Sequence, residues 1–134
     1  MSDKYFLDSN VCIYAFDIDK RKKEKALDLI IGNQATVSTQ VLMETANVAV
    51  KKLKFKQSDV QLSIDYITTF CWLHIIELTT IKRAFQINQK YQYSLYDSLI
   101  IASALEANCN ILYSEDMQHG HCIDNRLNIV NPFL

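Results

Sequence analysis

"YSLYDSLIIASALEANCNILYSEDMQHG", residues 93–120, decides the fold. Ser94 is followed three residues later by Asp97, a capping-box-like spacing, and the run Leu99-Ile100-Ile101-Ala102 comes directly after. A helix this apolar has to be largely buried, and its pattern ends near Asn108. "NILYS", 110–114, then reads as a buried strand, with Asp116 two residues beyond it. A buried helix feeding a buried strand is half of a parallel βαβ unit.

The rest of the chain repeats the alternation. "YFLDSNVCIYAFD", 5–17, opens with a short buried strand over 4–8 that stops at Asp8, Ser9 and Asn10. A helix is expected over 20–31, with Ala26, Leu27, Ile30 and Ile31 on its apolar face and a stop at Gly32-Asn33. "ATVS", 35–38, suits a strand, and the chain then looks helical from Thr39 to about Lys54. Ser58 caps a further helix to about Phe70, followed by a strand near 73–77. Thr79 or Thr80 opens a helix to about Tyr91, and "LNIV", 127–130, is a last short strand. The pattern predicts one α/β domain over residues 1–134, with a mainly parallel central sheet and helices on both faces.

Composition narrows the function classes. At 134 residues the chain can bury roughly two-thirds of its unfolded surface, so it needs neither disulfides nor a structural metal to fold. Cys12, Cys71, Cys109 and Cys122 form no CxxC pair and read as small apolar residues or free thiols. "HGHC", with His119, His121 and Cys122, has the look of metal ligands but lacks a second ligand cluster. No apolar run is long enough for a membrane span and no signal peptide opens the chain, so a cytoplasmic location is expected. Glycine-based nucleotide cradles are absent. The formal net charge of −1 advertises no global field for nucleic acid. Two local basic runs remain candidates for phosphate contact or solvated helix faces: Lys20, Arg21, Lys22, Lys23 and Lys25, then Lys51, Lys52, Lys54 and Lys56.

Four carboxylates stand out. Asp8 and Asp116 come after two strands distant in sequence, and ligands of open α/β sheets bind beyond the carboxyl ends of the strands. Glu44, in "STQVLMETANVAV", sits among apolar neighbours early in a helix, and Asp97 opens the buried one. Each has a plain structural alternative: Asp8 starts a turn, Glu44 is a solvated edge residue, Asp97 complements the helix N-terminus. As a set they are harder to dismiss. Converging carboxylates without a cationic partner repel and raise one another's pKa, whereas a hard divalent cation makes the cluster favourable. Such a cation activates water and offsets charge on a phosphodiester in the transition state.

"FLDSNVCIYAF", "STQVLMETANV" and "YSLYDSLIIASALEANCNILYSEDMQHG" together resemble PIN-domain nucleases, most of all the VapC-type toxins of bacterial toxin–antitoxin pairs. The resemblance implies a PIN-like three-layer α/β/α sandwich. It also implies a catalytic and metal-binding set of Asp8, Glu44, Asp97 and Asp116, holding Mg²⁺ or Mn²⁺. Asn10 and Ser114 fall where the family places polar support for these acids, and Glu115 is a second candidate for the role of Asp116. The implied activity is a metal-dependent endoribonuclease on RNA, in a homodimer held silent by a cognate antitoxin. Val60, Ile64, Ile67, Phe70 and Trp72 are an apolar surplus suited to interfaces or to the core. Rival readings are a non-catalytic RNA-binding or scaffold module and a nuclease of RNA processing without an antitoxin. A third rival, a phosphoryl transferase with Asp8 as nucleophile, wants an Asp where this chain has Asn10.

Overall fold

Tyr5–Leu7 forms β1, and its two neighbours in the sheet come from opposite halves of the chain. The computed structural model describes residues 4–134. After β1 come α1 (Ser9–Tyr14), α2 (Lys20–Ile31), β2 (Ala35–Ser38), α3 (Thr39–Lys51) and α4 (Gln57–Phe70). The second half adds β3 (Trp72–His74), α5 (Leu78–Tyr91), α6 (Leu95–Glu106), β4 (Ile111–Tyr113), β5 (Cys122–Ile123) and β6 (Leu127–Val130). The strands make one sheet in the order β3-β2-β1-β4-β6-β5, parallel except where β5 runs antiparallel to β6. α1 to α4 pack against one another, while α5 and α6 form a pair that meets the sheet through α6 at β2 and β4. The three-layer α/β/α arrangement with a mainly parallel sheet is therefore the one that forms.

The core arises because the strands are covered on both faces, which removes the polar alternation of a half-exposed strand. Phe6 and Leu7 of β1, Leu112 of β4 and Ile129 of β6 are fully buried, as are all four residues of β2 or nearly so. α6 is wedged between the sheet and α5, which is why it is apolar nearly all round: Ser98 and every residue from Ile100 to Leu105 are buried. No helix among the described residues is long and apolar enough to cross a membrane.

Several boundaries differ from the sequence expectation, each for a local reason. β1 ends at Leu7, and Asp8 instead caps α1, a six-residue helix that the sequence reading did not assign. α4 starts at Gln57 with no side-chain cap, so Ser58 is not its N-cap. β3 is Trp72–His74, not 73–77, because Ile76 N–H turns to the Thr39 hydroxyl (3.3 Å) and Glu77 caps α5. α3 stops at Lys51, and Lys54 adopts a left-handed φ of 59°. At the end of α2 it is Asn33, not Gly32, that takes the left-handed conformation (φ 68°). Gly32 is there for room: a Cβ would come within 2.5 Å of the Tyr5 hydroxyl, which donates to Leu29 O. β5 was not foreseen. Asp124 and Asn125, both at positive φ, make the tight turn that folds it onto β6.

Of the apolar surplus, Ile67 is buried in the core, Val60 and Ile64 are half-buried, and Phe70 and Trp72 are exposed. Cys12, Cys71 and Cys109 are buried, and Cys122 is exposed.

Candidate active site

The register of the two central strands builds the site. Leu7 lies opposite Tyr113, so the residues directly after them, Asp8 and Ser114, leave the sheet side by side. Asp8 N–H donates to Tyr113 O (3.0 Å), and the Ser114 hydroxyl donates to Asp8 Oδ2 (2.8 Å). Asp8 Oδ1 accepts from Ser9 N–H at the start of α1 (2.7 Å). Asn10, on the first turn of that helix, reaches across: its Nδ2 donates to Asp116 Oδ2 (3.1 Å) and its Oδ1 accepts from Glu115 N–H (3.2 Å). Ser114 Oγ also accepts from Met117 N–H (3.3 Å), closing the turn that carries Asp116. Asp8, Asn10, Ser114 and Asp116 thus form one hydrogen-bonded group at the carboxyl edge of β1 and β4, where the strand order reverses.

Asp97 and Glu44 reach this group through charge. Burial pushes the Asp8 carboxyl up to about 6, against the bonds from Ser114 and Ser9, and the charges of Asp97 and Glu44 push the same way. Asp97, half-buried in the first turn of α6, is also raised by burial and by the charge of Asp116, with Ser94 opposing. Glu44 is half-buried on α3, where Gln40 Nε2 donates both to its Oε2 and to Tyr96 O (3.2 Å each). Gln40 therefore ties Glu44 to the residue beside Asp97. It lies one helical turn before Glu44, a spacing from which the contact was readable.

Glu115 is otherwise employed. Lys22 Nζ and the Tyr14 hydroxyl both bond its carboxylate. Burial raises that carboxyl, but the bonds from Lys22 and Tyr14 outweigh it and hold it below the ordinary value. Lys22 is thereby withdrawn from the first basic run, and Arg21 donates to Phe133 O (3.0 Å); Lys20, Lys23 and Lys25 stay exposed. In "HGHC", His119 Nδ1 accepts from Asn131 N–H (3.0 Å) and His121 Nδ1 pairs with the Tyr93 hydroxyl (2.7 Å). Tyr93 also takes a hydrogen bond from the Gln118 backbone, so it links the entrance of α6 to the segment bearing Asp116. Tyr14, Gln40 and Tyr93 were missed by sequence reasoning, and Lys22 was read only as part of a basic run open to phosphate contact, not as the partner of Glu115.

No lysine or arginine ion-pairs with Asp8, Glu44, Asp97 or Asp116 among the described residues. As oriented, no three His, Cys, Asp or Glu side chains among them stand close enough to hold an ion. The donor set is nonetheless all oxygen and acidic, the kind a hard cation such as Mg²⁺ takes. Asp116 is exposed and Glu44 and Asp97 are half-buried, whereas Asp8 is buried.

The family model of the PIN domain matches residues 5–121. This chain belongs to the PIN domain family. Solved structures agree with that assignment of the PIN fold. A toxin–antitoxin complex from Klebsiella pneumoniae is 20% identical, with a TM-score of 0.73, covering 96% of this chain and 98% of that one. VapC20 of Mycobacterium tuberculosis, a sarcin–ricin loop cleaving toxin, is 14% identical with a TM-score of 0.68, covering 84% and 90%. DNA-bound VapBC from Salmonella typhimurium is 17% identical with a TM-score of 0.68, covering 96% and 97%. At these identities the likeness is one of fold. No curated protein matched by sequence.

Proposed function

We propose that this PIN domain is a metal-dependent endoribonuclease and the toxin of a type II toxin–antitoxin pair. The observation that carries the reading is Asp8. It is a buried carboxylate at the carboxyl edge of the sheet, raised to about 6, facing two further acids and no cation among the described residues. Such a group is costly by itself and becomes favourable with a divalent cation beside it. Asp8, Asp97 and Asp116 hold Mg²⁺ or Mn²⁺, and Glu44 holds the ion or orients and deprotonates the attacking water. When bound, the ion supplies positive charge against the phosphodiester and makes water a competent nucleophile at neutral pH. Ser114 and Asn10 fix the carboxylates of Asp8 and Asp116, and the 2.8 and 3.1 Å bonds are short enough to do so.

The toxin assignment rests on neighbours: the structures that share this fold over nearly the whole chain include toxins and toxin–antitoxin complexes. A protein antitoxin and a homodimer in the cytoplasm belong to the same reading, with exposed Phe70 and Trp72 among the apolar groups available to an interface.

Incubation of the purified chain with total RNA, with and without Mn²⁺, tests the activity. Cleavage is expected with the metal and not in EDTA, and Asp8→Asn or Asp97→Asn is expected to lower it by at least about 100-fold with the fold retained. Cleavage at parental rates by both variants would overturn the assignment. RNA binding that survives EDTA without any product would instead mark a non-catalytic module.

A further inference from the structure

A cleft of about 440 Å³ opens directly beside the acids, and the catalytic reading gives it no occupant. One end is formed by Asn10 and Asp116, so it is continuous with the hydrogen-bonded group described above. One wall is α1, which presents Ile13 and Tyr14; the other is the C-terminal end of α3 and the residues just beyond it, with Val48, Lys52 and Leu53.

The walls are set by helical spacing. Asn10 and Tyr14 are four residues apart on α1, so they share a face, and so do Glu44, Val48 and Lys52 on α3 and its cap. At 1.5 Å per residue, Lys52 lies about 12 Å along that line from Glu44. The cleft thus runs from an acidic end, through an apolar middle, to Lys52, its one lining cation; Glu115, already paired with Lys22, and Asp17, whose carboxylate accepts from Ile18 N–H, line it as well. Lys52 is exposed and takes part in no ion pair among the described residues. Tyr14 is held rigidly: its hydroxyl bonds Glu115 (2.7 Å) and its ring packs edge-to-face on Phe133, 4.9 Å between centroids.

A nucleotide strand needs this succession of chemistries. Its phosphate goes to the acidic end only with a divalent ion, its base wants a flat apolar or aromatic wall, and its next phosphate wants an ammonium. The volume lies within the range of small-ligand sites. We infer that this cleft is the subsite for one nucleoside of the RNA strand, immediately next to the phosphodiester that meets the acids. Its base lies against Ile13, Val48 and Leu53 beside Tyr14, and its outer phosphate meets Lys52. This rests on the ribonuclease reading and adds to it where the strand lies. Of the second basic run, only Lys52 lines the cleft.

The test uses the unmodified chain, with Ca²⁺ in place of Mg²⁺ to hold back cleavage, and a fluorescein-labelled RNA hexamer tracked by anisotropy. Val48→Trp, which fills the cleft, and Lys52→Glu are each expected to weaken binding about tenfold. Lys82→Glu, an exposed lysine on α5 outside the cleft, is expected to leave it unchanged. Val48→Gln repeats the first variant without added bulk, and melting temperatures and Mn²⁺ affinities of all variants should match the parent. Equal affinity in Val48→Trp and Val48→Gln would overturn the subsite and leave the cleft to a protein partner. Weakening by Lys52→Glu and Lys82→Glu alike would reduce Lys52 to general surface charge and overturn it too. A hexamer that fails to bind even the unmodified cleft, with no RNA cleavage by the parent, would remove the ribonuclease reading itself.

Discussion

Asp8 must be ionised to hold a cation, yet the fold raises its carboxyl from the ordinary 3.8 to about 6. The native chain therefore holds this proton more tightly than the unfolded chain does. Its contribution to stability is complete below about pH 4 and is lost as the pH rises through 6. Two pKa units correspond to about 3 kcal/mol, which bounds the cost of the ionised group at neutral pH without metal. Metal-free Asp8→Asn is accordingly expected to melt several degrees above the parent at pH 7, with the gap closing toward pH 4. Parallel thermal scans at several pH values check this, and coincident curves at pH 7 would show that the buried charge costs nothing. Added Mn²⁺ should raise the melting temperature of the parent and not of the variant. Asp8, Glu44 and Asp97 stood out as candidates because each puts a charge beside a long apolar run, and Asp116 because it comes two residues after a buried strand. Lys22 did not, because its neighbours in sequence are solvated lysines and only the folded chain brings it to Glu115, 93 residues away.

Among the elements, the segment from Ser114 to His121 matters most, since it carries Asp116 between β4 and β5 and has no regular structure of its own. It is fastened on two sides. Asn10, Tyr14 and Lys22 hold it at Glu115 and Asp116, and Tyr93 holds it at Gln118 and His121. Tyr93 is itself fixed by Asn88 Nδ2, which donates to its carbonyl at 2.6 Å. Tyr93→Phe deletes one hydroxyl, so it should cost about 1 kcal/mol or less in stability. It should also raise the Mn²⁺ concentration for half-maximal cleavage roughly tenfold, as loss of a support behind a ligand typically does. Metal titrations of activity and of Mn²⁺ binding by calorimetry measure the shift, and unchanged titrations would leave Tyr93 a packing residue. At this scale the central strands were readable as short unbroken apolar runs, most helices by the spacing of their buried face, and α6, apolar nearly all round, by its length and its Ser94 cap. The two-residue β5 and the six-residue α1 were not, being too short to show any period. Their signals were chemical instead: Asp124-Asn125 between Ile123 and Leu127 for the hairpin, and Asp8 before Ser9 for the helix cap.

On the scale of the molecule, the last residues are stitched to the first helices. Phe133 is 6% exposed, packs on Tyr14 and receives Arg21 at its carbonyl, while Lys22 Nζ stands 5.4 Å from its ring centroid. Phe133→Ala should cost about 3 kcal/mol through the cavity it leaves. It should also loosen Tyr14 and so weaken hexamer binding more than Mn²⁺ binding. Denaturant melts and the two titrations separate these effects; a loss below about 1 kcal/mol would mean that the chain end is not part of the core. The parallel pairing of β1 with β4 carries one more consequence. Asp8 leaves the sheet at the very start of the chain, but its hydrogen-bond donor Ser114 lies 106 residues later. A nascent chain that has not yet reached Asn110 has neither the strand that borders Asp8 nor the acid that completes the group. The group of acids is thus assembled by topology alone, and only after synthesis has passed Asp116, however early Asp8 emerges.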